Sequence, residues 1–194
     1  MNFPASITKD EVMELPISSY TGNVHVLTEA NEIDDAMAEI SKSKVVGFDT
    51  EARPTFKKGQ IRNISLIQIA TKTEVYLLRI KSTGLMNSIV EFLESDTIMK
   101  VGIGLDDDKQ LLKRLADFKP TNFLDLNVEM PNFGAEKIGA RNLAAMLLNI
   151  RISKSAQTSN WENPTLTNKQ VQYAATDAWI CLEIHDKLVE WGHL

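Results

Sequence analysis

The sequence predicts an α/β fold with a mixed central sheet flanked by helices. Two observations carry this expectation. Apolar or alternating runs cluster early: KVVGF (Lys44 to Phe48), IRNISLIQIA (Ile61 to Ala70) and VYLLRI (Val75 to Ile80) all read as strands. Beyond them, strand-like runs alternate with amphipathic stretches up to one long final helix. A length of 194 residues, 43% of them hydrophobic and 24% charged, suits one globular domain and excludes a disordered chain.

In order along the chain, residues 1–22 carry Pro4, Pro16 and small polar residues, and read as an irregular lead-in to a single domain spanning 23–194. Val24 to Leu27 suits a short edge strand. Thr28 is a candidate N-cap for an acidic helix from Glu29 to about Ile40, with Ile33, Met37 and Ile40 on one face. After Lys44, KVVGF is apolar, as a buried strand should be. Pro54 and Gly59 bracket a loop, and the alternation from Ile61 to Ile69 makes a strand pair with Val75 to Ile80. Ser82 to Leu93 suits a helix with Leu85, Ile89, Phe92 and Leu93 inward. Ile98 to Ile103 suits a strand, Asp108 to Leu115 a helix, Asn122 to Leu126 a short strand and Asn142 to Leu148 a helix. Asn160 to Leu166 reads as loop. Thr167 then caps the last helix, Asn168 to about Trp191.

Carboxylates stand at three informative places. Asp49 and Glu51 follow the KVVGF strand two residues apart, so they share one face of its end. Asp106, Asp107 and Asp108 follow the strand KVGIG at a helix start, where the helix dipole favours acids. Gly102 and Gly104 suggest a dinucleotide loop, but Asp107 in the third glycine position would repel a pyrophosphate. Tyr173 and Asp177 lie four apart on the final helix and so share a face. Converging carboxylates repel one another unless cations lie between them. Hard oxygen ligands select Mg²⁺ or Mn²⁺, and two such ions about 3.5–4 Å apart form a clamp for phosphodiester cleavage.

The order VVGFDTE, KVGIGLDDDKQLL and SNWENPTLTNKQVQYAATDA resembles the three motifs of the DEDDy 3′–5′ exonucleases, members of the DnaQ-like, ribonuclease H-like superfamily. The likeness is greatest to the branch of RNase D and the Werner-syndrome exonuclease domain, and it spans roughly Val24 to Leu194. It implies a ribonuclease H-like fold and a metal-dependent 3′–5′ exonuclease. Such an enzyme would release 5′-mononucleotides from the 3′ end of DNA or RNA by a two-metal mechanism. It also implies that Asp49, Glu51, Asp108 and Asp177 hold two divalent ions, Mg²⁺ or Mn²⁺, and that Tyr173 orients the attacking water. Counting GxGxxxD from Gly102 selects Asp108, with Asp106 as the alternative.

Two stretches hold bases and no acids: Ala52 to Thr73, with Arg53, Lys57, Lys58 and Arg62, and Lys137 to Trp161, with Lys137, Arg141, Arg151 and Lys154. Flanking the acidic site, Arg53, Lys57, Lys58, Arg62 and Lys154 would pair with phosphates, while Phe56 and Trp161 would stack on bases. Leu66 and Gln68 are further candidates to line the site. The net charge of −5 argues at first sight against a nucleic-acid partner. Two divalent ions would bring the loaded protein to about −1, and much of the remaining acidity sits on the helix after Thr28.

The single cysteine, Cys181, excludes an intramolecular disulfide and a cysteine-ligated zinc site. The N-terminus lacks the basic and apolar regions of a secretory signal, and no apolar run is long enough to span a membrane, so a cytoplasmic location is expected. The protein would work alone or with a separate helicase or repair or processing partner. Two other readings remain open at this point: a non-catalytic nucleic-acid-binding module on the same fold, and another metal-dependent phosphodiesterase or nucleotidase.

Overall fold

The computed structural model describes residues 2–54 and 63–194. Its strands are β1 (Asn23–Leu27), β2 (Val45–Ala52), β3 (Ile64–Ala70), β4 (Glu74–Leu78), β5 (Met99–Gly102) and β6 (Phe123–Asp125). They form one sheet in the order β1-β4-β3-β2-β5-β6. β3 runs antiparallel to both β2 and β4, and the other neighbours are parallel, so the sheet is mixed. The helices include α1 (Lys9–Glu14), α2 (Ala30–Ile40), α3 (Ile80–Thr83), α4 (Asn87–Glu94), α5 (Asp106–Leu112), α6 (Leu126–Glu129), α7 (Ala140–Leu148) and α8 (Asn168–Glu190). No helix among the described residues is long and apolar enough to cross a membrane.

β2 lies near the middle of the sheet and is covered on both faces. Val46 and Phe48 point into a core with Ile33, Met37 and Ile40 of α2 and Phe92 of α4. Gly47, Asp49 and Glu51 alternate to the other face, beneath α8. At Gly47 the helix comes so close that a Cβ would lie 1.9 Å from the Ala178 carbonyl oxygen. Ala174, Ala175 and Ala178, all buried, keep that side of α8 shallow. The helix begins where the sequence places it. Thr167 caps it with a reciprocal capping box, its Oγ1 accepting from the Gln170 amide at 3.3 Å while Gln170 Oε1 accepts from the Thr167 amide at 3.0 Å.

Three details differ from the sequence expectation. The stretch expected as one helix from Ser82 to Leu93 is two, α3 and α4, because the chain turns at Gly84 with φ +71°. Glu29, not Thr28, is the cap of α2, through a reciprocal pair with Glu32. The lead-in is not irregular throughout: it holds α1, capped by Thr8 and Glu11, and then bonds to the far end of the chain, with Ser18 N donating to Arg151 O at 2.9 Å.

Lys100 is fully buried in β5. Its Nζ donates to the carbonyls of Phe92 (3.2 Å) and Ser95 (2.7 Å) at the C-terminus of α4, and lies over the Phe123 ring at 5.0 Å. Burial pulls its pKa down to about 8. A lysine inside a strand pattern gives no sequence sign of this capping role.

The contact at Gly47 generates a prediction. Gly47→Ala should lower stability by about 1–3 kcal/mol, since the methyl meets helix backbone that cannot swing aside. Chemical denaturation of the two proteins measures this, and equal midpoints would contradict the close approach.

Candidate metal and phosphodiester site

Four carboxylates from three elements distant in sequence meet where α8 crosses the end of β2. Asp49 and Glu51 come from β2, and Asp177 comes from α8 above Gly47. Each of the three offers a carboxylate oxygen, and these oxygens all lie within 4.8 Å of one another. Asp108 arrives from the opposite face of the sheet, where Leu111 and Leu112 of α5 pack into the α2–α4 core. Its carboxylate accepts a hydrogen bond from the hydroxyl of Thr50, the residue between Asp49 and Glu51. All four acids line one cavity of about 360 Å³, together with Tyr173 and Lys154.

The start of α5 is set by Asp125, a residue the sequence reading missed. Its carboxylate accepts from the amides of Gly104 (2.8 Å), Leu105 (2.7 Å) and Asn127 (2.9 Å), which fastens the turn after β5 to the end of β6. An Asp just before a helix is a cap signal in sequence, and Asp125 does cap α6. The two further bonds across the sheet edge exist only in the fold.

The acids oppose one another. Burial, with the charges of Asp177, Asp108 and Glu51, pushes Asp49 well above the usual carboxylate range. Burial pushes Asp177 up to about 7, against the opposing effects of a hydrogen bond from Tyr173 and the charge of Lys154. The Tyr173 phenol is pushed up by burial and by Asp177 and Glu51, so it stays protonated. Cys181 also lines the cavity, and burial beside Asp49 and Asp177 raises its thiol, so it offers no thiolate there. Such a set of oxygen donors, costly to ionise without a partner, fits hard divalent cations.

The remaining expected residues divide sharply. Asp106 is exposed, pairs with Lys109 at 2.7 Å and does not line the cavity, whereas Asp107 and Asp108 do. Lys154 lines it. Arg53 lies outside it and pairs with Glu162 at 3.6 Å. Phe56, Lys57, Lys58 and Arg62 lie outside the described residues. Trp161 corrects the expectation of base stacking: it is fully buried, its ring 6.0 Å from that of Tyr173, and it leaves no face open to a base. Arg79 explains this packing, since its guanidinium donates to the carbonyls of Asn163 and Pro164 and draws the loop before α8 inward. Leu66 is core, and Gln68 is fully buried opposite Asp49 in the β2–β3 register.

A family model described as 3′–5′ exonuclease matches residues 24–191. The chain belongs to this family. It is 32% identical over 189 residues to the mouse bifunctional 3′–5′ exonuclease/ATP-dependent helicase WRN, an alignment covering 92% of this chain and 13% of that protein. The chain thus spans only a small part of that relative. The exonuclease domain of Aedes aegypti Nibbler superposes with a TM-score of 0.78 at 21% identity, covering 90% of this chain and 94% of that one. Escherichia coli RNase D superposes with a TM-score of 0.79 at 20% identity, covering 87% and 44%. The fold is therefore the ribonuclease H-like fold of RNase D-like exonucleases. The family is metal-dependent, which agrees with the acidic cluster.

The raised carboxyls generate a pH dependence. The folded state holds protons on Asp49 and Asp177 that the unfolded chain releases at ordinary carboxylate pKa values. The stability this confers is complete at acid pH and is lost as pH rises through about 7. In chelator, the Tm should fall from about pH 5 to about pH 8, and Asp177→Asn should flatten that fall. Mn²⁺ should raise the Tm more at the higher pH and much less in the variant. A pH-independent Tm, unmoved by metal, would count against converging carboxylates.

Proposed function

We propose that the chain is a metal-dependent 3′–5′ exonuclease acting on DNA or RNA with a free 3′ end. It hydrolyses the terminal phosphodiester and releases a 5′-mononucleotide. Asp49, Glu51, Asp108 and Asp177 would hold two divalent ions, Mg²⁺ or Mn²⁺. The observation that carries this reading is the convergence of four acids, from both faces of the sheet, on one cavity that also contains Tyr173.

The bound ions would supply the positive charge that relieves the carboxylate repulsion and offsets the negative charge developing on the phosphodiester oxygens. The chain's own groups do the rest. β2 and α8 hold the acids in place before substrate arrives, which lowers the reorganisation needed for reaction. Tyr173 remains a phenol at neutral pH, so it acts as a hydrogen-bonding positioner of water and not as a base. Its ring is held by Trp161 and its hydroxyl by Asp177, which leaves it little freedom. Lys154 places an ammonium in the same cavity, suited to a phosphate oxygen. With Tyr in this position, the site fits the tyrosine subclass of these enzymes.

The test is a 5′-labelled single strand incubated with Mg²⁺ or Mn²⁺. A ladder shortening from the 3′ end is expected. Asp49→Asn should lower kcat about a thousandfold, as loss of a charge-positioning group does. Tyr173→Phe should lower it about tenfold to a hundredfold with little change in KM. A pure, folded protein that leaves the 3′ end intact in both metals defeats the proposal, and strand binding without turnover would favour the non-catalytic module.

A further inference from the structure

We propose that Gln68 is a positioning residue for Asp49: with a divalent ion bound, its carboxamide donates to the Asp49 carboxylate and fixes the direction in which that carboxylate offers an oxygen to the ion. This rests on the exonuclease reading and names a residue through which the same site works. Gln68 is not among the residues lining the acidic cavity, so it acts through Asp49 and not on substrate.

A carboxamide is an unusual occupant of this position. β3 lies between β2 and β4, and every residue from Ile64 to Ala70 is buried. Gln68 shares a face with Leu66 and Ala70, two residues away on either side. Its register partners are Leu77 of β4 and Asp49 of β2. Leu66, Ala70 and Leu77 belong to the apolar cluster that also holds Ala174 and Ala178 of α8. Gln68 is fully buried, and among the described residues neither its Nε2 nor its Oε1 has a hydrogen-bond partner. Burying an amide unpaired is costly, and these apolar neighbours have nothing to bond it with.

Asp49 is the neighbour that can. The hydroxyls of α8 are committed elsewhere, Tyr173 to Asp177 and Thr176 to the Gln172 carbonyl at 2.6 Å. Directly opposed residues of an antiparallel pair hold their Cβ atoms about 4.5–5.5 Å apart, a gap that a glutamine spans by turning its own torsions. Two of the other acids already have a side-chain donor: Asp108 accepts from the Thr50 hydroxyl and Asp177 from the Tyr173 phenol. Asp49 accepts from the backbone amide of Thr50. An oxygen given to a cation leaves the other oxygen of the carboxylate open to a donor. Gln68 supplies that donor from the adjoining strand, as carboxylates that hold metals generally require.

Gln68→Met keeps the length and bulk of the side chain and removes the amide. In chelator its Tm should equal or exceed that of wild type, since no bond is lost and no unpaired amide is buried. Its Mn²⁺ Kd, measured by calorimetry, should rise about tenfold to a hundredfold. Half-maximal activity on a labelled strand should need correspondingly more Mn²⁺, with kcat largely recovered at saturating metal. An unchanged Kd overturns the inference and leaves the exonuclease reading standing. So does a Tm in chelator well below that of wild type, which would mark Gln68 as a structural amide bonded without metal. Amide NMR of wild type gives a reading that needs no variant: Mg²⁺ should move a side-chain amide proton of Gln68 downfield, and a pair unmoved by bound Mg²⁺ also overturns the inference. If wild type binds neither Mn²⁺ nor Mg²⁺, the exonuclease reading itself fails, and the inference falls with it.

Discussion

The structure turns on the approach of α8 to β2 at Gly47. Without a side chain there, helix backbone settles almost onto strand backbone, and the alanines at 174, 175 and 178 let it lie flat. One turn before the crossing stands Tyr173, and beside it Asp177. Along the strand from the crossing come Asp49 and Glu51. A wider helix–sheet spacing, of the usual kind filled by large side chains, would keep these carboxylates from sharing a cation. The absence of a side chain at one buried position therefore sets the distance between the principal charged groups.

That arrangement carries an electrostatic cost which the rest of the fold sustains. Asp49 and Asp177 are driven toward their neutral forms by burial and by one another. The surroundings hold them nonetheless. Trp161 and Arg79 hold the loop before α8, the capping box at Thr167 fixes where the helix begins, and Asp125 ties down the turn that presents Asp108. Strongly shifted carboxyls in a cavity are a common mark of a functional site. Here the shifts have a plain origin: like charges gathered in a poorly hydrated place, ready for a positive partner.

Much of this is legible before any coordinates. β2, β3 and the final helix follow from apolar runs, period-two alternation and a threonine N-cap that involve only local sequence. The pairs Asp49–Glu51 and Tyr173–Asp177 follow from strand and helix periods. The break at Gly84 is missed because apolar spacing continues across it. Trp161 is misread because a Trp in a polar loop looks exposed until Arg79, more than 80 residues earlier in the chain, draws that loop into the core. Lys100 is missed for the same reason, since its partners are carbonyls at the end of another element.

The sequence by itself determined which groups exist and which local faces carry them: a strand end with two acids, a helix start with three, and a helix face with a phenol and a carboxylate. Periodicity is a short-range property, so it can say no more than that. Tertiary structure decided that these faces meet, that Asp108 and not Asp106 lines the shared cavity, and that the lead-in lies against α8. The reason is physical. Choosing among neighbouring acids on a helix needs the rotation of that helix about its axis. That rotation is set by where Leu111 and Leu112 find the core and where Asp125 holds the preceding turn, neither of which a local pattern contains.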